Sequence, residues 1–275
     1  MTHWTNATAI VTGGGSGIGR ALAKAMSSRG AKVLVTDINL DAASQVAAEC
    51  GVHATACLLD VRDAAGVKAC IEDFAQQHGR LDFMFNNAGI GLSGETNEIP
   101  LSMWQHIIDI NMMGVLHGVL AAYPLMLKQG SGHIVNTASM AGLAPTPLLA
   151  PYGMTKHAVV GLSKALRLEG AARGVRVSVL CPTAIETPLL DTKVPTDVPI
   201  PWTPDTRRYL TAAGGPPYPV EKCAEETLAA IERNKGIIVL PGQARVGWWL
   251  GRVFPGLVEK LVLKAVAAER SFRQQ

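Results

Sequence analysis

The alternation of short β-rich runs with longer segments of helical periodicity is the feature that most constrains the fold of this 275-residue chain. Seven short runs are rich in apolar and β-branched residues: 8–11, 32–36, 54–58, 81–85, 133–136, 176–180 and 236–240. Several are apolar continuously rather than alternately, as expected of strands covered by helices on both faces. The pattern predicts an α/β fold with a doubly wound, seven-stranded parallel sheet flanked by helices.

The length and composition predict the domain organisation. A chain that is 48% hydrophobic can bury most of its apolar surface in one unit, so we expect a single domain over residues 1–275. Residues 188–219 are rich in proline and lack a sustained period, which predicts a lid over a ligand site.

Residues 244–275 predict a C-terminal helical extension. Lys260 and Lys264 lie on one side of it, and the apolar positions share another face, at 257, 258, 261, 262, 265 and 266. We expect the apolar face to pack against the domain or a partner subunit. The alternative is an amphipathic helix that lies on a membrane surface.

Charge and cysteine usage narrow the class of protein. The 25 Lys and Arg exceed the 22 Asp and Glu only slightly and form no basic run, which argues against a nucleic-acid partner. The five cysteines include no CxxC pair and no histidine at metal-ligand spacing, so we expect reduced thiols in a cytoplasmic protein and no metal site. With no signal-like start and no apolar, uncharged stretch of about 18 residues, we expect a soluble protein without a transmembrane segment.

A glycine-rich turn follows the first run, where residues 12–19 read TGGGSGIG. Glycine lets a cofactor approach the main chain, and a helix N-terminus offers N–H groups to a pyrophosphate. The strict GxGxxG spacing is absent, since position 18 is Ile and position 20 is Arg. The alternative is a tight strand-to-helix connection without a ligand.

Asp37 ends the second run, 18 residues after Gly19. An acidic side chain at this place accepts hydrogen bonds from the adenosine ribose hydroxyls. It would repel a 2′-phosphate about 4 Å away by several kcal/mol, and Ile38 supplies no compensating cation. We therefore expect NAD(H) rather than NADP(H). As an alternative, Asp37 is a turn or helix-cap acid.

Tyr152 and Lys156 are four residues apart, so on a helix they project from the same face. A tyrosine with a pKa near 10 is a poor base, and lowering that pKa by 2 to 3 units requires about 3–4 kcal/mol of preferential phenolate stabilisation. A nearby ammonium and a positively charged nicotinamide can provide it. The pair is a candidate general acid–base, with Ser139 thirteen residues upstream.

These residues resemble the short-chain dehydrogenase/reductase family, whose fold is a Rossmann fold. The resemblance runs from Thr8 to about Gly242. It rests on the glycine turn at 12–19, Asp60 with Val61, Asn86 to Gly89, Asn111, Ser139, Tyr152, Lys156, Pro182 and Thr187.

The resemblance implies roles for the candidate catalytic residues. Tyr152 would exchange a proton with the substrate oxygen, which Ser139 would also hydrogen-bond. Lys156 would lower the pKa of the tyrosine and hold the nicotinamide ribose, and Asn111 would keep a water in a proton relay with Lys156. A hydride would pass between the substrate carbon and nicotinamide C4.

The resemblance also implies a cofactor site for NAD or NADH. Its residues are Gly13, Ser16, Gly17, Ile18, Gly19, Asp37, Asp60, Val61, Asn87, Ala88, Gly89, Tyr152, Lys156, Pro182, Ile185 and Thr187. Thr183 is a departure, because similar proteins usually have glycine after the proline. Glycine allows backbone conformations that threonine resists, so the nicotinamide pocket is expected to be altered there.

The substrate side is uncharged between Ser139 and Tyr152. The lid adds apolar and aromatic residues, namely Leu189, Leu190, Val194, Ile200, Trp202 and Tyr209. Such a lining suits an apolar or alicyclic secondary alcohol or ketone. The expected substrate contacts are Ser139, Leu149, Tyr152, Ala184 and Leu189. Arg207 and Arg208 are either a solvated pair or an anchor for a distant carboxylate or phosphate.

The sequence thus predicts an NAD-dependent alcohol dehydrogenase or ketone reductase, and the resemblance favours a homodimer or homotetramer. Two alternatives stay open: a catalytically silent NAD-binding regulatory or scaffold protein, and a related epimerase or dehydratase.

Overall fold

Seven parallel strands form one sheet in the computed structural model, which describes residues 4–192 and 198–274. The strands are β1 (Thr8–Thr12), β2 (Lys32–Asp37), β3 (Ala54–Leu58), β4 (Phe83–Asn86), β5 (Gly132–Thr137), β6 (Val175–Pro182) and β7 (Ile237–Leu240). Their order across the sheet is β3-β2-β1-β4-β5-β6-β7. The order reverses between β1 and β4, and ligands of such sheets bind in the crevice at that point, beyond the carboxyl ends of the strands. The predicted doubly wound parallel sheet is confirmed.

Ten helices and a π-helical segment connect and cover these strands in the described part of the chain. The helices are α1 (Gly17–Ser27), α2 (Leu40–Cys50), α3 (Ala64–His78), α4 (Leu101–Ile108), α5 (Gly114–Gln129), α6 (Ala150–Ala171), α7 (Thr206–Gly214), α8 (Val220–Glu232), α9 (Ala244–Val253) and α10 (Pro255–Ser271). The π segment is Asp109–Met113, and short 3-10 turns occupy Gly51–His53, Met140–Gly142, Pro188–Asp191 and Phe272–Gln274.

Two apolar cores lie on opposite faces of the sheet, and β1 shows how its residues divide between them. Ala9 and Val11 belong to the core under α1, α2 and α8, whereas Ile10 belongs to the core under α3, α5 and α6. All three side chains are fully buried. Covering on both faces explains why the central strands are continuously apolar. The edge strand β3 is covered less, and its Leu58 is 59% exposed.

Each predicted run contains a strand; β3 matches its run at both ends, and the other strands differ from theirs by up to two residues at an end. β4 starts at Phe83 instead of 81, because the Leu81 amide donates to the Gln129 side chain at 3.0 Å rather than to a strand. β6 extends to Pro182, beyond the predicted end at 180. Such ends depend on hydrogen-bond partners from remote parts of the chain.

The continuous helical stretch Leu101–Gln129 corrects one expectation. It has 29 residues and contains an 18-residue window with a mean hydropathy of 1.5, so by length and composition it is one helix in the described chain that could cross a membrane. Residues 110–127 contain no Asp, Glu, Lys or Arg, whereas we expected no uncharged apolar stretch of about 18 residues. The composition reflects packing on the sheet, since Val115, Val119 and Met126 are buried in the core.

The lid contains more regular structure than its composition predicts. Helix α7 begins after Asp205, whose carboxylate accepts a hydrogen bond from the Arg208 amide at 2.8 Å. The Tyr209 hydroxyl donates to the Pro147 carbonyl at 3.1 Å, which fastens the lid to the segment before α6. Val194, expected to line the pocket, lies outside the described residues.

A buried polar chain joins β4, β5 and α6 next to the site. Asn86 Nδ2 donates to Asn136 Oδ1 at 2.8 Å, and Asn136 Nδ2 donates to Ser163 Oγ at 2.9 Å. Gly118 of α5 lies against this chain, because a Cβ there would be 1.8 Å from Asn86 Oδ1. Helix α5 can therefore approach the sheet only with glycine at this position.

Replacing Gly118 tests that close approach. Gly118→Ala is expected to lower the free energy of unfolding by about 1–3 kcal/mol or more, as overpacking does in a dense core. Gly161→Ala is the matched control, since a Cβ at this exposed position of α6 meets nothing within 4 Å. It is expected to raise stability by about 0.5–1 kcal/mol. Equal shifts of the two variants in chemical denaturation would contradict the packing.

Candidate active site

Tyr152 and Lys156 lie one helical turn apart near the start of α6, as the spacing predicts. The Lys156 ammonium is 5.4 Å from the centroid of the Tyr152 ring. Its Nζ donates to the Thr137 carbonyl at the end of β5, at 3.0 Å, and the side chain is 3% exposed. The two candidate catalytic groups are thus held together at the carboxyl edge of the sheet.

Burial is the largest influence on the pKa values of Tyr152 and Lys156. It lowers the pKa of Lys156 to about 8, because a charged ammonium is costly to desolvate. It also raises the pKa of Tyr152, and the hydrogen bond with Ser139 opposes that rise only in part. The protein by itself therefore keeps the tyrosine protonated, in the opposite direction to the lowering that the sequence predicts.

Ser139 joins the ends of two strands beside the tyrosine. Its Oγ accepts a hydrogen bond from the Ala141 amide at 3.1 Å and donates to the Pro182 carbonyl at 3.4 Å. The same hydroxyl caps the 3-10 turn that follows. These contacts fix the hydroxyl next to Tyr152, where both groups can meet one substrate oxygen.

Asn111 is fully buried in the π segment between α4 and α5. Its Oδ1 accepts from the Ile90 amide at 2.8 Å, and its Nδ2 donates to the Ile90 carbonyl at 2.9 Å and to Thr155 Oγ1 at 3.4 Å. Both amide hydrogens are thus engaged within the protein. The side chain fixes the loop after β4, and its role in a proton relay stays a prediction.

Gly89 separates Asn111 from Lys156. A Cβ at Gly89 would lie 3.1 Å from Asn111 Oδ1 and 3.4 Å from Lys156 Nζ. A side chain after Asn87 and Ala88 would therefore crowd Asn111, which glycine avoids.

The glycine turn packs tightly against the loop after β4. A Cβ at Gly13 would lie 2.7 Å from the Ala88 Cα, and one at Gly19 would lie 2.2 Å from the Gly13 carbonyl oxygen. Asn87 Nδ2 donates to the Thr12 carbonyl at 3.1 Å, and Thr12 Oγ1 accepts from the Asn87 and Ala88 amides at 2.9 and 3.1 Å. These contacts give the turn a defined concave backbone.

The N-terminus of α1 adjoins this backbone. Ser16 is its cap residue, but the side chain makes no capping hydrogen bond. First-turn N–H groups without a side-chain cap suit a pyrophosphate. Ile18 is partly buried against the core, so only its main chain faces this end. Thr187 lies over Gly17, where a Cβ would be 3.2 Å from the threonine methyl group.

Asp37 lies at the end of β2 beside the turn. Its Oδ2 accepts from the Gly15 amide and its Oδ1 from the Asn39 amide, each at 3.0 Å. Asn39, not Asp37, caps α2, because its side chain accepts from the Ala42 amide. The helix-cap alternative for Asp37 is therefore wrong. Each carboxylate oxygen can accept a further hydrogen bond.

Asp60 and Val61 follow β3 at the expected adenine side. Arg62 makes a two-pronged ion pair with Asp60, with Nη2 2.6 Å from Oδ2, and its guanidinium holds the pKa of the carboxyl below the usual range. The Val61 carbonyl contacts His117 Nδ1 at 2.8 Å. This ion pair was not predicted from the sequence, although Asp60 and Arg62 are only two residues apart.

The loop after β6 shows whether threonine at position 183, where similar proteins have glycine, changes the backbone. Its amide donates to the Leu240 carbonyl at 2.9 Å, and Thr183 is not among the described residues with a positive φ. Glycine is therefore not required there, and the expected alteration of the pocket has no backbone cause. Ile185 forms a bridge with Tyr218, whose amide donates to the Ala184 carbonyl at 2.8 Å.

An apolar cluster, which we call the apolar wall, lies beside Tyr152 and was not predicted from the sequence as a cluster. Its buried members are Leu92, Ile99 and Ile107, with Ile90, Met103, Trp104, Tyr152 and Ile200 packed against them. Most come from the irregular segment after β4 and from α4, where no periodicity marks them. Their only signal in sequence is their place after the Asn86 to Gly89 motif.

The expected substrate residues differ in their exposure. Leu149 is only 3% exposed, so the expectation that it offers a contact surface is not supported. Ala184 is half-buried and Leu189 is 37% exposed. Leu189 also reaches across the opening, since a Cβ at Gly91 would lie 3.8 Å from its Cδ1.

The lid arginines are neither a merely solvated pair nor an open anchor. Arg207 binds the carboxylates of Glu186 and Asp191, with Nη2 to oxygen distances of 2.6 and 2.7 Å. Arg208 binds Glu269 of α10 at 2.6 Å, and this glutamate is 3% exposed. Both guanidiniums are used to hold the lid.

The end of the C-terminal extension packs on the same side of the site as the lid. Arg270 pairs with Glu95 at 2.6 Å and Arg273 with Glu98 at 2.7 Å, in the segment between β4 and α4. The Arg273 guanidinium also lies 5.6 Å from the Trp202 ring of the lid. The extension thus links the lid to the apolar wall. Among the described residues no cluster could hold a metal, and all five cysteines are free thiols.

Comparison with known proteins agrees with this geometry. Residues 7–197 match the family model for short chain dehydrogenase. Cyclohexanol dehydrogenase of Acinetobacter sp. (strain SE19) is 39% identical over 191 residues, covering 68% of this chain and 76% of the relative. The 2,5-dichloro-2,5-cyclohexadiene-1,4-diol dehydrogenase of Sphingobium indicum is 38% identical, covering 72% and 80%.

Among solved structures, a short-chain dehydrogenase/reductase from Burkholderia phymatum in complex with NAD superposes with a TM-score of 0.82 at 29% identity. It covers 94% of this chain and 96% of the other. The chain belongs to the short-chain dehydrogenase/reductase family and is an oxidoreductase.

The buried ammonium has a measurable signature in stability. Between about pH 8 and the ordinary lysine pKa near 10.4, the unfolded chain binds more protons than the folded one, so stability rises with pH. Lys156→Met removes this group. The variant is expected to be more stable than wild type at pH 7, by on the order of 3 kcal/mol at most, with the difference shrinking towards pH 10.

Chemical denaturation at several pH values measures the difference. Lys128→Met, at an exposed lysine of α5, is the control for loss of a lysine side chain. A difference that is constant with pH, or one of the same form in the control, contradicts the buried ammonium.

Proposed function

We propose that the protein is an NAD(H)-dependent alcohol dehydrogenase or ketone reductase that acts on apolar secondary alcohols or ketones. The observation that carries the proposal is the meeting of Tyr152, Lys156 and Ser139 at the sheet edge where the glycine turn also ends. A proton-transfer group, a hydroxyl that orients the same oxygen and a backbone cradle for a dinucleotide are what such a reaction needs.

The residues fit the cofactor. The uncapped start of α1 would hold the pyrophosphate, Asp37 the adenosine ribose and Lys156 the nicotinamide ribose, while Ile185 and Thr187 would hold the carboxamide. When bound, the dinucleotide supplies the hydride donor or acceptor at nicotinamide C4.

Tyr152 performs the proton transfer in this proposal. Because burial raises its pKa, it is poised as an acid that donates to the oxygen of a ketone. Oxidation of an alcohol requires the phenolate, and the positive charges of Lys156 and of an oxidised nicotinamide favour that form. Ser139 hydrogen-bonds the substrate oxygen, and Asn111 fixes the Ile90 loop that borders both the lysine and the apolar wall.

The substrate class follows from the wall. The wall beside Tyr152 is aliphatic and aromatic, and the lid arginines are already paired with carboxylates. A ligand with a charged tail would have no free partner among them. The names of the two relatives also refer to six-membered carbocyclic alcohols, so we propose an alicyclic secondary alcohol or ketone.

We further propose a homodimer or homotetramer that works in the cytoplasm. Exposed leucines on the long helices support self-association, with Leu120 of α5 63% exposed and Leu168 of α6 80% exposed. The free thiols support a reducing compartment.

Removing the hydroxyl of Tyr152 tests the mechanism. Tyr152→Phe is expected to lower kcat by about 10²–10⁴-fold, the usual contribution of general acid–base catalysis, while NADH affinity stays near that of wild type. Reduction of cyclohexanone followed at 340 nm and NADH fluorescence titration measure the two quantities. Tyr123→Phe on α5 is the matched control and should leave both unchanged.

A Tyr152→Phe variant with most of its activity would overturn the mechanism. A wild-type protein that binds NADH but turns over no alcohol or ketone would favour the catalytically silent alternative. Conversion of a substrate without net change at 340 nm would favour an epimerase or dehydratase.

Changing Asp37 tests the cofactor preference. A carboxylate about 4 Å from a 2′-phosphate repels it by about 4 kcal/mol per unit charge at an effective dielectric of 20. Asp37→Asn is therefore expected to shift the ratio of kcat/KM for NADH over NADPH towards NADPH by at least about tenfold. Asp41→Asn, at an exposed position in α2, is the control. Preference for NADPH by wild type would refute the role of Asp37.

A further inference from the structure

The outer surface of α9 and α10 carries a continuous set of exposed apolar side chains, which we call the aromatic patch. Its residues are Val246, Trp249, Val253, Phe254, Leu257 and Leu261, each between 47% and 61% exposed. Large apolar side chains that form one contiguous exposed surface mark an interaction site, whereas scattered ones do not.

Helix geometry explains why the patch stays uncovered. Val246, Trp249 and Val253 share one face of α9, while Trp248 on the other face packs into the core under α3, α5 and α6. The Trp249 and Phe254 rings meet edge to face with centroids 6.4 Å apart, which joins the two helices into one surface.

Helix α10 divides its apolar residues differently from the sequence prediction. Val258, Val262 and Val266 are turned towards the protein, whereas Leu257 and Leu261 are exposed. The expected separation of the apolar face from the lysines is therefore wrong at these two positions. One turn of helix places Lys260 and Lys264 next to the exposed leucines.

The surface around the patch is cationic. Residues 244–275 contain six Lys and Arg and two Glu. The other 243 residues contain 19 Lys and Arg and 20 Asp and Glu. Of the six, Arg270 and Arg273 are paired with glutamates. The remaining four have no ion-pair partner among the described residues: Arg245, Arg252, Lys260 and Lys264.

We propose that the aromatic patch docks this protein on an anionic membrane surface. Trp249 and Phe254 would enter the boundary between headgroups and acyl chains, and the four cations would contact lipid phosphates. This is the composition of an interfacial amphipathic helix, with aromatic and aliphatic residues on one side and Lys and Arg beside them. The extension lies beyond residues 7–197, which match the family model.

The lysines favour a lipid surface over a second copy of the chain. Cores of protein interfaces are depleted of lysine, because desolvating an ammonium without a carboxylate partner is costly. Here Lys260 and Lys264 adjoin Leu257 and Leu261, and neither lysine has an ion-pair partner in the part of the chain that the structure describes. At a membrane, long side chains keep their charge at the headgroups while the leucines are buried.

Vesicle co-sedimentation of the full chain with NADH tests the docking. Binding is expected to phosphatidylcholine vesicles that contain phosphatidylglycerol and to weaken as salt is raised, with much less binding to phosphatidylcholine alone. The Lys260→Gln, Lys264→Gln variant is expected to bind roughly thirtyfold more weakly, at about 1 kcal/mol for each cation lost.

A second variant removes the apolar contribution. Trp249→Ser with Phe254→Ser is expected to abolish sedimentation while retaining NADH binding, since both rings are more than half exposed. Val52→Ser is the matched control, because Val52 is 96% exposed but lies in a 3-10 turn away from the patch.

Failure of wild type to bind anionic vesicles would overturn the proposal, as would equal binding by the Trp249→Ser, Phe254→Ser variant. Light scattering without lipid adds an independent outcome. A fall in particle mass for that variant would assign the patch to contact between copies of the chain, and would also overturn the proposal.

Discussion

The burial of one ammonium group, that of Lys156, is the constraint on which the site depends. Its hydrogen bond to the Thr137 carbonyl fixes it at the end of β5, and desolvation brings its pKa down to about 8. Gly89 is small because the lysine and Asn111 both approach it within contact distance, and Asn111 is held by the loop that Gly89 begins.

The same burial shapes the chemistry we propose for Tyr152. A phenol beside a buried lysine and a serine hydroxyl stays protonated in the protein alone, because burial raises its pKa more than the hydrogen bond with Ser139 lowers it. In the reaction that we propose, such a phenol would give its proton to a carbonyl oxygen. A positive charge arriving with an oxidised cofactor would favour the phenolate, so cofactor redox state and tyrosine protonation are coupled by electrostatics.

The substrate side is organised by ion pairs from a remote part of the chain. Glu269 is buried and accepts from both Arg208 and the Asp205 amide, which ties α10 to the start of the lid helix. Arg270 and Arg273 reach the segment that supplies the apolar wall. The extension consequently has two different surfaces. The inner surface joins the lid to the apolar wall through ion pairs, and the outer surface carries the exposed aromatic patch.

Local patterns in the sequence determined the sheet, the helix that carries Tyr152 and Lys156, and the glycine turn, because periodicity and spacing act over a few residues. Thr183 shows the limit of such patterns, since its negative φ and bond to Leu240 depend on β7. Only the tertiary structure decided that Asn111 hydrogen-bonds Ile90 and that Arg207 and Arg208 are paired with carboxylates. It also decided that Leu257 and Leu261 remain exposed to solvent. Each of these outcomes depends on partners distant in sequence, whose positions follow only from how the sheet, lid and extension pack together.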